Sequence, residues 1–257
     1  MFRNIRIIFT LLVSPLVLFA QDATTLVQSG KDLNVMYRNE ASFGLLAHSN
    51  GFGINYRRAK HLTADRKRVI EFEFVNTSHP KEIKSVNPYF ENSKGFYYGK
   101  LNSILIPRIG FGFQNVLYRK AERKSVEIRY STYLGFSFLL AKPVYLEILN
   151  KSNSGNPSEY TISTEKYDPQ NPLHGIDNIY GRAPYFKGFD ETRIYPGMYA
   201  KLGLSFEYGD SRSDIKAIEV GMTFDGYLKV VPIMAYTKNY QLFPSLYISF
   251  IYGRKWF

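Results

Sequence analysis

Acid–base chemistry near neutral pH most often begins with histidine, and the chain holds four: His48, His61, His79 and His174. His48 or His79 with Ser78, Asp177 or Asp190 supplies the residue types of a base, a nucleophile and an orienting acid. No spacing enforces that set. Cysteine is absent, which removes thiolate catalysis, disulfides and thiolate metal sites from the repertoire. A phosphate-cradling loop, a dinucleotide fingerprint, zinc-ligand spacing and a nucleophile elbow are likewise missing from the sequence. Residue types alone therefore favour a non-enzymatic protein without cofactor or metal. A hydrolase built on His48 or His79 is the minor alternative.

A second set of chemically capable residues is more regular. Arg57, Glu71, Glu73, Arg108, Gln114, Glu127, Arg129, Lys201, Glu207, Glu219 and Asp225 each follow an apolar or aromatic residue, and most also precede one. Such alternation is the mark of strands with two unlike faces. It is clearest from Ser125 to Leu140, where Val126, Ile128, Tyr130, Thr132, Leu134, Phe136, Phe138 and Leu140 share one face. Ser125, Glu127, Arg129, Ser131, Tyr133, Gly135 and Ser137 share the other. That run is longer than the roughly 5–6 residues usual in soluble proteins and long enough for a tilted membrane-crossing strand.

The pattern recurs over Met198 to Tyr208, Ile218 to Asp225, Ser245 to Gly253, Ile70 to Phe74 and Arg108 to Gln114. Only Ile251 breaks the phase of the last long run. Phe43 to His48 and Phe52 to Arg58 flank Ser49-Asn50-Gly51, an Asn-Gly hairpin signal. The sum is eight strands. Connections near residues 64–67, 121–124 and 209–214 are short, whereas 78–101, 141–196 and 227–243 are long and rich in Asn, Tyr, Pro, Ser and Gly. This alternation is that of an all-β, transmembrane, antiparallel up-and-down barrel whose termini lie on the periplasmic side. Val144 to Ile148 and Tyr160 to Thr164 could pair above the membrane, or join the wall and raise the count to ten.

The start of the chain reads as an export leader: basic Arg3 and Arg6, an apolar run from Ile7 to Phe19, and Ala20 before Gln21. The expected organisation is a signal peptide over 1–20, a periplasmic segment over 21–38, and an outer-membrane barrel over 39–257. If apolar faces meet lipid, the charged set meets itself in the lumen, where both signs must pair. A plugged interior follows, with a gated ion path as the alternative.

Basic residues gather at the expected periplasmic rim: Arg58, Arg66, Lys67, Arg68, Arg119, Lys120, Arg123 and Lys124. They contribute to a net charge of +11 and suit lipid headgroups or an acidic partner. Nucleic acid does not suit an exported protein. Tyr56, Tyr118, Tyr130, Tyr208, Tyr252 and Trp256 fit interfacial girdles. Tyr89, Phe90, Phe96, Tyr97, Tyr98, Tyr180, Tyr185 and Phe186 would face outward from the loops.

Together the leader, the alternating strands and the ending Gly253-Arg254-Lys255-Trp256-Phe257 resemble the small outer-membrane β-barrel proteins of Bacteroidetes. The resemblance implies a non-enzymatic scaffold or accessory subunit beside assembly or secretion machinery, with a narrow channel and a rim-site enzyme as alternatives. It also implies contact with outer-membrane lipid and lipopolysaccharide, insertion by the barrel-assembly machinery, and a membrane-protein partner. Phe250, Tyr252, Trp256 and Phe257 are the residues of the insertion signal, although Phe257 is one residue out of step with the apolar series.

Overall fold

Alternation of small or charged residues with large apolar ones dictates a sheet that must hide one face, and a closed cylinder hides it completely. The computed structural model describes residues 37–90, 93–120, 125–151, 160–209 and 213–257. The expected leader and most of the expected periplasmic segment lie outside the described residues. The strands are β1 (Asn39–His48), β2 (Gly51–His61), β3 (Arg66–Thr77), β4 (Lys84–Ser85), β5 (Phe96–Tyr97), β6 (Asn102–Tyr118) and β7 (Glu127–Pro143). They continue with β8 (Tyr145–Lys151), β9 (Tyr160–Lys166), β10 (Ile179–Arg182), β11 (Arg193–Tyr208), β12 (Asp214–Tyr227) and β13 (Leu242–Trp256).

Eight of these, in the order β1-β2-β3-β6-β7-β11-β12-β13, form a closed antiparallel barrel in which sequence neighbours are spatial neighbours. The wall closes where β1 pairs with β13, from Asn39 opposite Trp256 to His48 opposite Tyr247. The ten-strand alternative does not hold, because β8 and β9 pair with each other and with β10 in a separate sheet. No helix among the described residues is long and apolar enough to cross a membrane; two short 3-10 turns, Pro172–His174 and Ile176–Asn178, lie between β9 and β10.

The register fixes the tilt. Stepping through cross-strand partners from Phe43 leads to Tyr56, Phe72, Ile109, Phe136, Met198, Gly226 and Leu242. On β13 the partner of Phe43 is instead Tyr252, ten residues farther along. A stagger of ten over eight strands, with spacings of ~3.3 Å along and ~4.8 Å between strands, inclines the strands by about 40°. One end of the cylinder carries Asn39 and Trp256 and the short turns; it is the terminal end. The opposite, loop end carries the connections that contain β4, β5, β8, β9 and β10.

Outward positions are apolar on every barrel strand: Phe43 and Leu45 on β1, Phe72 and Phe74 on β3, Leu134 and Phe136 on β7, and Phe250 on β13 are all exposed. Inward positions carry the polar set. Ile251, the residue that breaks the phase of the last strand, points inward and packs on Ile215 and Ala217. The alternation is intact there; only the chemistry of one inward position differs.

Candidate functional site

The barrel interior is the densest concentration of chemistry in the molecule. Along β3, Glu71 and Glu73 point inward two residues apart and are completely buried. From β2, Arg57 donates through Nε to Glu71 at 2.5 Å and through its terminal nitrogens to Glu219 at 2.7 and 2.6 Å. From β11, Lys201 donates to Glu71 at 3.1 Å and to Glu73 at 2.5 Å. From β6, Arg108 bonds Glu73 and holds Asp225 at 2.9 and 2.6 Å. A single chain results, Glu219–Arg57–Glu71–Lys201–Glu73–Arg108–Asp225, which starts on β12, crosses the lumen to β2 and β3, and returns through β6 to β12.

Its ends are stopped by hydroxyls. Tyr247 donates to Glu219 at 2.8 Å, and Ser137 donates to Asp225 at 3.1 Å while sharing a 2.7 Å hydrogen bond with the Tyr227 hydroxyl. Aromatic faces cover the cations: Lys201 lies 4.6 Å from the centre of the Tyr247 ring, Arg57 5.2 Å from Tyr133 and Arg108 5.6 Å from Tyr199. Buried ions carry a desolvation cost that only close partners offset, and every charge of this chain has at least one.

A second cluster fills the terminal end. Glu40 of β1 holds His61 at 2.7 Å and also Lys67. Glu207 holds Lys255 at 2.8 Å and Arg129 at 2.7 Å, with Lys120 at 3.9 Å; Arg129 also holds Glu127 at 2.5 Å. Lys67 was expected among the basic residues of the periplasmic rim. It is instead buried in the lumen, because it shares the strand phase of Val69, Glu71 and Glu73. Lys120 is likewise half-buried, donating to the Gly209 carbonyl at 3.1 Å, rather than free on the rim. Arg58, Arg66 and Arg68 do point outward, and exposed Arg119 pairs with Asp65 at 2.5 Å. Arg123 and Lys124 lie outside the described residues. Between the two clusters, Ser42, Lys67, Gln114, Arg129 and Tyr133 help line a cavity of about 20 Å3. It has room for about one water molecule and none for a substrate.

The loop end is closed differently. The β12–β13 connection folds back over the mouth and sets Val231, Ile233 and Met234 against Leu46, Val75, Ile104, Ile106 and Leu139 of the wall. Backbone bonds hold it there: Leu101 donates to the Ile233 carbonyl at 2.9 Å, Ala235 to Gly99 at 2.7 Å, and Asn102 through Nδ2 to Pro232 at 2.6 Å. The Asn239 side chain accepts from the amides of Ile233 and Met234 at 2.8 and 3.1 Å, which fixes the turn of the stopper. The sequence marks this connection only as one of the long ones between strands. Its apolar residues have no strand period, so nothing in their spacing announces a cap.

Beyond the mouth, β10-β8-β9 packs through Leu146, Ile148, Tyr167 and Ile179 on Phe96. Phe96, expected to face outward, is buried in this small core, since the β3–β6 connection lies against the sheet. Tyr89, Tyr185 and Phe186 are exposed, and the last two rings meet edge to face at 5.5 Å. Asn87 ties the layers by donating to the carbonyls of Asp177 and Ile179 at 3.3 and 2.8 Å. A bond from Ser163, with His174 adjoining, holds the Glu165 carboxyl below its usual range. Lys166 and then Tyr145 do the same for Glu191.

The histidines are dispersed. His48 bonds the Asn76 carbonyl at 3.1 Å, His61 bonds Glu40, and His79 accepts through Nδ1 from the Lys81 amide at 3.2 Å. Desolvation holds His79 below the usual imidazole value, with Glu82 opposing it. His174 contacts Glu165 at 3.1 Å and accepts from the Asp168 amide at 2.8 Å. None of these described bonds joins His48 or His79 to Ser78, Asp177 or Asp190. Among the described residues no group of His, Asp and Glu is arranged to hold a metal.

No protein-family model matches the chain, and no curated protein matches it. Solved structures similar to it include Neisserial surface protein A, at 10% identity and a TM-score of 0.41 over 86% of this chain and 97% of that one. Another is Ail, the attachment invasion locus protein of Yersinia pestis, in complex with the heparin analogue sucrose octasulfate. It has 8% identity and a TM-score of 0.40 over 86% of this chain and 100% of that one. The N-terminal β-barrel domain of Pseudomonas aeruginosa OprF is similar at 7% identity and a TM-score of 0.34, over 84% of this chain and 99% of that one.

Proposed function

We propose that the protein is a non-enzymatic barrel of the bacterial outer membrane that serves as a sealed structural or accessory subunit, with both chain termini in the periplasm and the β8–β10 sheet outside the cell. Its inverted polarity carries this reading: large apolar side chains cover the outer wall, while Lys201, Glu71, Glu73 and Glu219 are completely buried within. A water-soluble barrel has no use for so much outward Phe, Leu and Ile, whereas a lipid-facing one requires it. On β7 the outward series from Ile128 to Leu140 extends about 30 Å along the membrane normal, enough to cross the hydrocarbon.

The filled interior supports sealing rather than conduction, because an ion would have to displace both the apolar stopper and the ionic chain. Insertion by the barrel-assembly machinery would read Phe250, Tyr252, Trp256 and Phe257; the first two face outward on β13, and the Phe257 ring lies 5.2 Å from Tyr37. The loop sheet with exposed Tyr89, Tyr185 and Phe186 is the natural contact for a membrane-protein partner, and lipopolysaccharide would surround the upper wall. The protein purified from native membranes should bring down a stoichiometric partner and give no unitary conductance in planar bilayers. Resolved current steps, or a clean monomer from gentle detergent, would overturn the sealed-subunit reading.

A further inference from the structure

The outward face of the barrel is lopsided. On β7 the apolar series spans about 30 Å of height, but Ala41 to Ala47 on β1 spans only about 15 Å, and Phe52 to Tyr56 on β2 and Ile70 to Phe74 on β3 only about 10 Å each. Below the short series, toward the terminal end, come Arg58 and Lys60 on β2 and Arg66 and Arg68 on β3, all outward and exposed. They form one patch, for Lys60 is the cross-strand partner of Arg68 and Arg58 that of Ile70. None of the four has an ion-pair partner among the described residues.

Arg66 is braced rather than free-swinging, its guanidinium 4.1 Å from the centre of the Phe113 ring. The basic rim continues through Arg254 and Lys216, and Arg254 adjoins Arg58 across the small Ala41. On β6, β7 and β11 the outward positions toward the same end are Asn115, Leu117, Tyr130, Ile128, Phe206 and Tyr208, with no charge among them. Positive charge and a shortened apolar wall therefore coincide on one half of the cylinder.

We propose that this half, centred on Arg58, Lys60, Arg66 and Arg68, is a binding surface for anionic phospholipid headgroups of the periplasmic leaflet. The inference rests on the outer-membrane reading above. Arg forks suit phosphate oxygens bidentately, and adjacent strands space the cations closely enough for one doubly charged headgroup or two singly charged ones. Since the patch rises where the apolar wall ends, headgroups held there are drawn toward the midplane, and the leaflet thins beside β1–β3.

The test uses the full chain in nanodiscs of phosphatidylcholine containing a minor fraction of phosphatidylglycerol or cardiolipin, with retained lipids read by native mass spectrometry. The wild type should enrich the anionic lipid about fivefold or more over its bulk fraction. The variant R58Q/K60Q/R66Q/R68Q should lose that enrichment, and K81Q/K84Q/K229Q/K238Q, with as many positive charges removed from the loop end, should keep it. Equal enrichment in both variants, or none in the wild type, overturns the proposal. So does displacement of the lipid by an acidic polypeptide that binds the patch more tightly. Failure of the wild type to stay folded in pure phosphatidylcholine would instead count against the membrane reading itself, so the two failures are distinct.

Discussion

At the scale of single residues, the interior depends on Lys201, the sole cation between Glu71 and Glu73 in the described structure. Lys201→Met should cost about 3–5 kcal/mol, because it leaves buried carboxylates without their shared partner. The loss is measurable as a lower urea midpoint for the shift between folded and unfolded bands on gels. Glu71→Gln in the same background should recover part of it. A second residue-scale prediction concerns Gly110, where an added Cβ would overlap the hydroxyl and ring of Tyr199. Gly110→Ala should destabilise by about 1–3 kcal/mol. Tyr199→Phe should relieve part of that, since the Tyr199 hydroxyl has no hydrogen-bond partner among the described residues to lose. The sequence carried enough to place Lys67, Glu40 and Lys255 inside, by strand phase alone. Grouping Lys67 with neighbouring basic residues hid it, because composition registers charge but not the side of the strand.

At the scale of elements, the stopper and the loop sheet are separable from the wall. Ile233→Asp places a carboxylate in the apolar mouth, so the 228–241 connection should leave its seat. Limited proteolysis should then cut this connection faster while the barrel itself stays resistant. The loop sheet adds a pH response. Glu165 and Glu191 have carboxyls held below the ordinary 4.5, so their stabilisation is complete above that value. It is lost as pH falls through the depressed folded-state values. Amide exchange in β8 and β9 should therefore accelerate on acidification below about 4.5, with both groups exposed enough that the wall is unaffected. The long strands were legible because each inward position repeats every second residue; β7 and β11 are the clear cases. Val231, Ile233 and Met234 were not legible, since their burial is decided by β1, β3, β6 and β7, all remote in sequence.

At the scale of the whole molecule, the barrel joins an outer apolar wall, a crossing chain of ion pairs and two differently closed ends. Sequence alone conveyed the strand number and the polarity of the two faces. It could not convey how far the apolar wall varies around the circumference, because that depends on a register established only when the strands pair. The proposed thinning beside β1–β3 belongs to this scale, as does the predicted lack of unitary conductance. The seam between β1 and β13 has a further consequence, in time rather than in space. Its partners, such as Phe43 and Tyr252, stand at opposite ends of the described chain, so their meeting closes a loop that contains nearly every other contact. Such non-local pairing is slow, and a cylinder rewards it only when complete. Deleting β13 should leave β1 and β12 with open edges and yield no heat-modifiable band at all. The β13 strand thus acts as the latch on which the cooperativity of the entire wall depends.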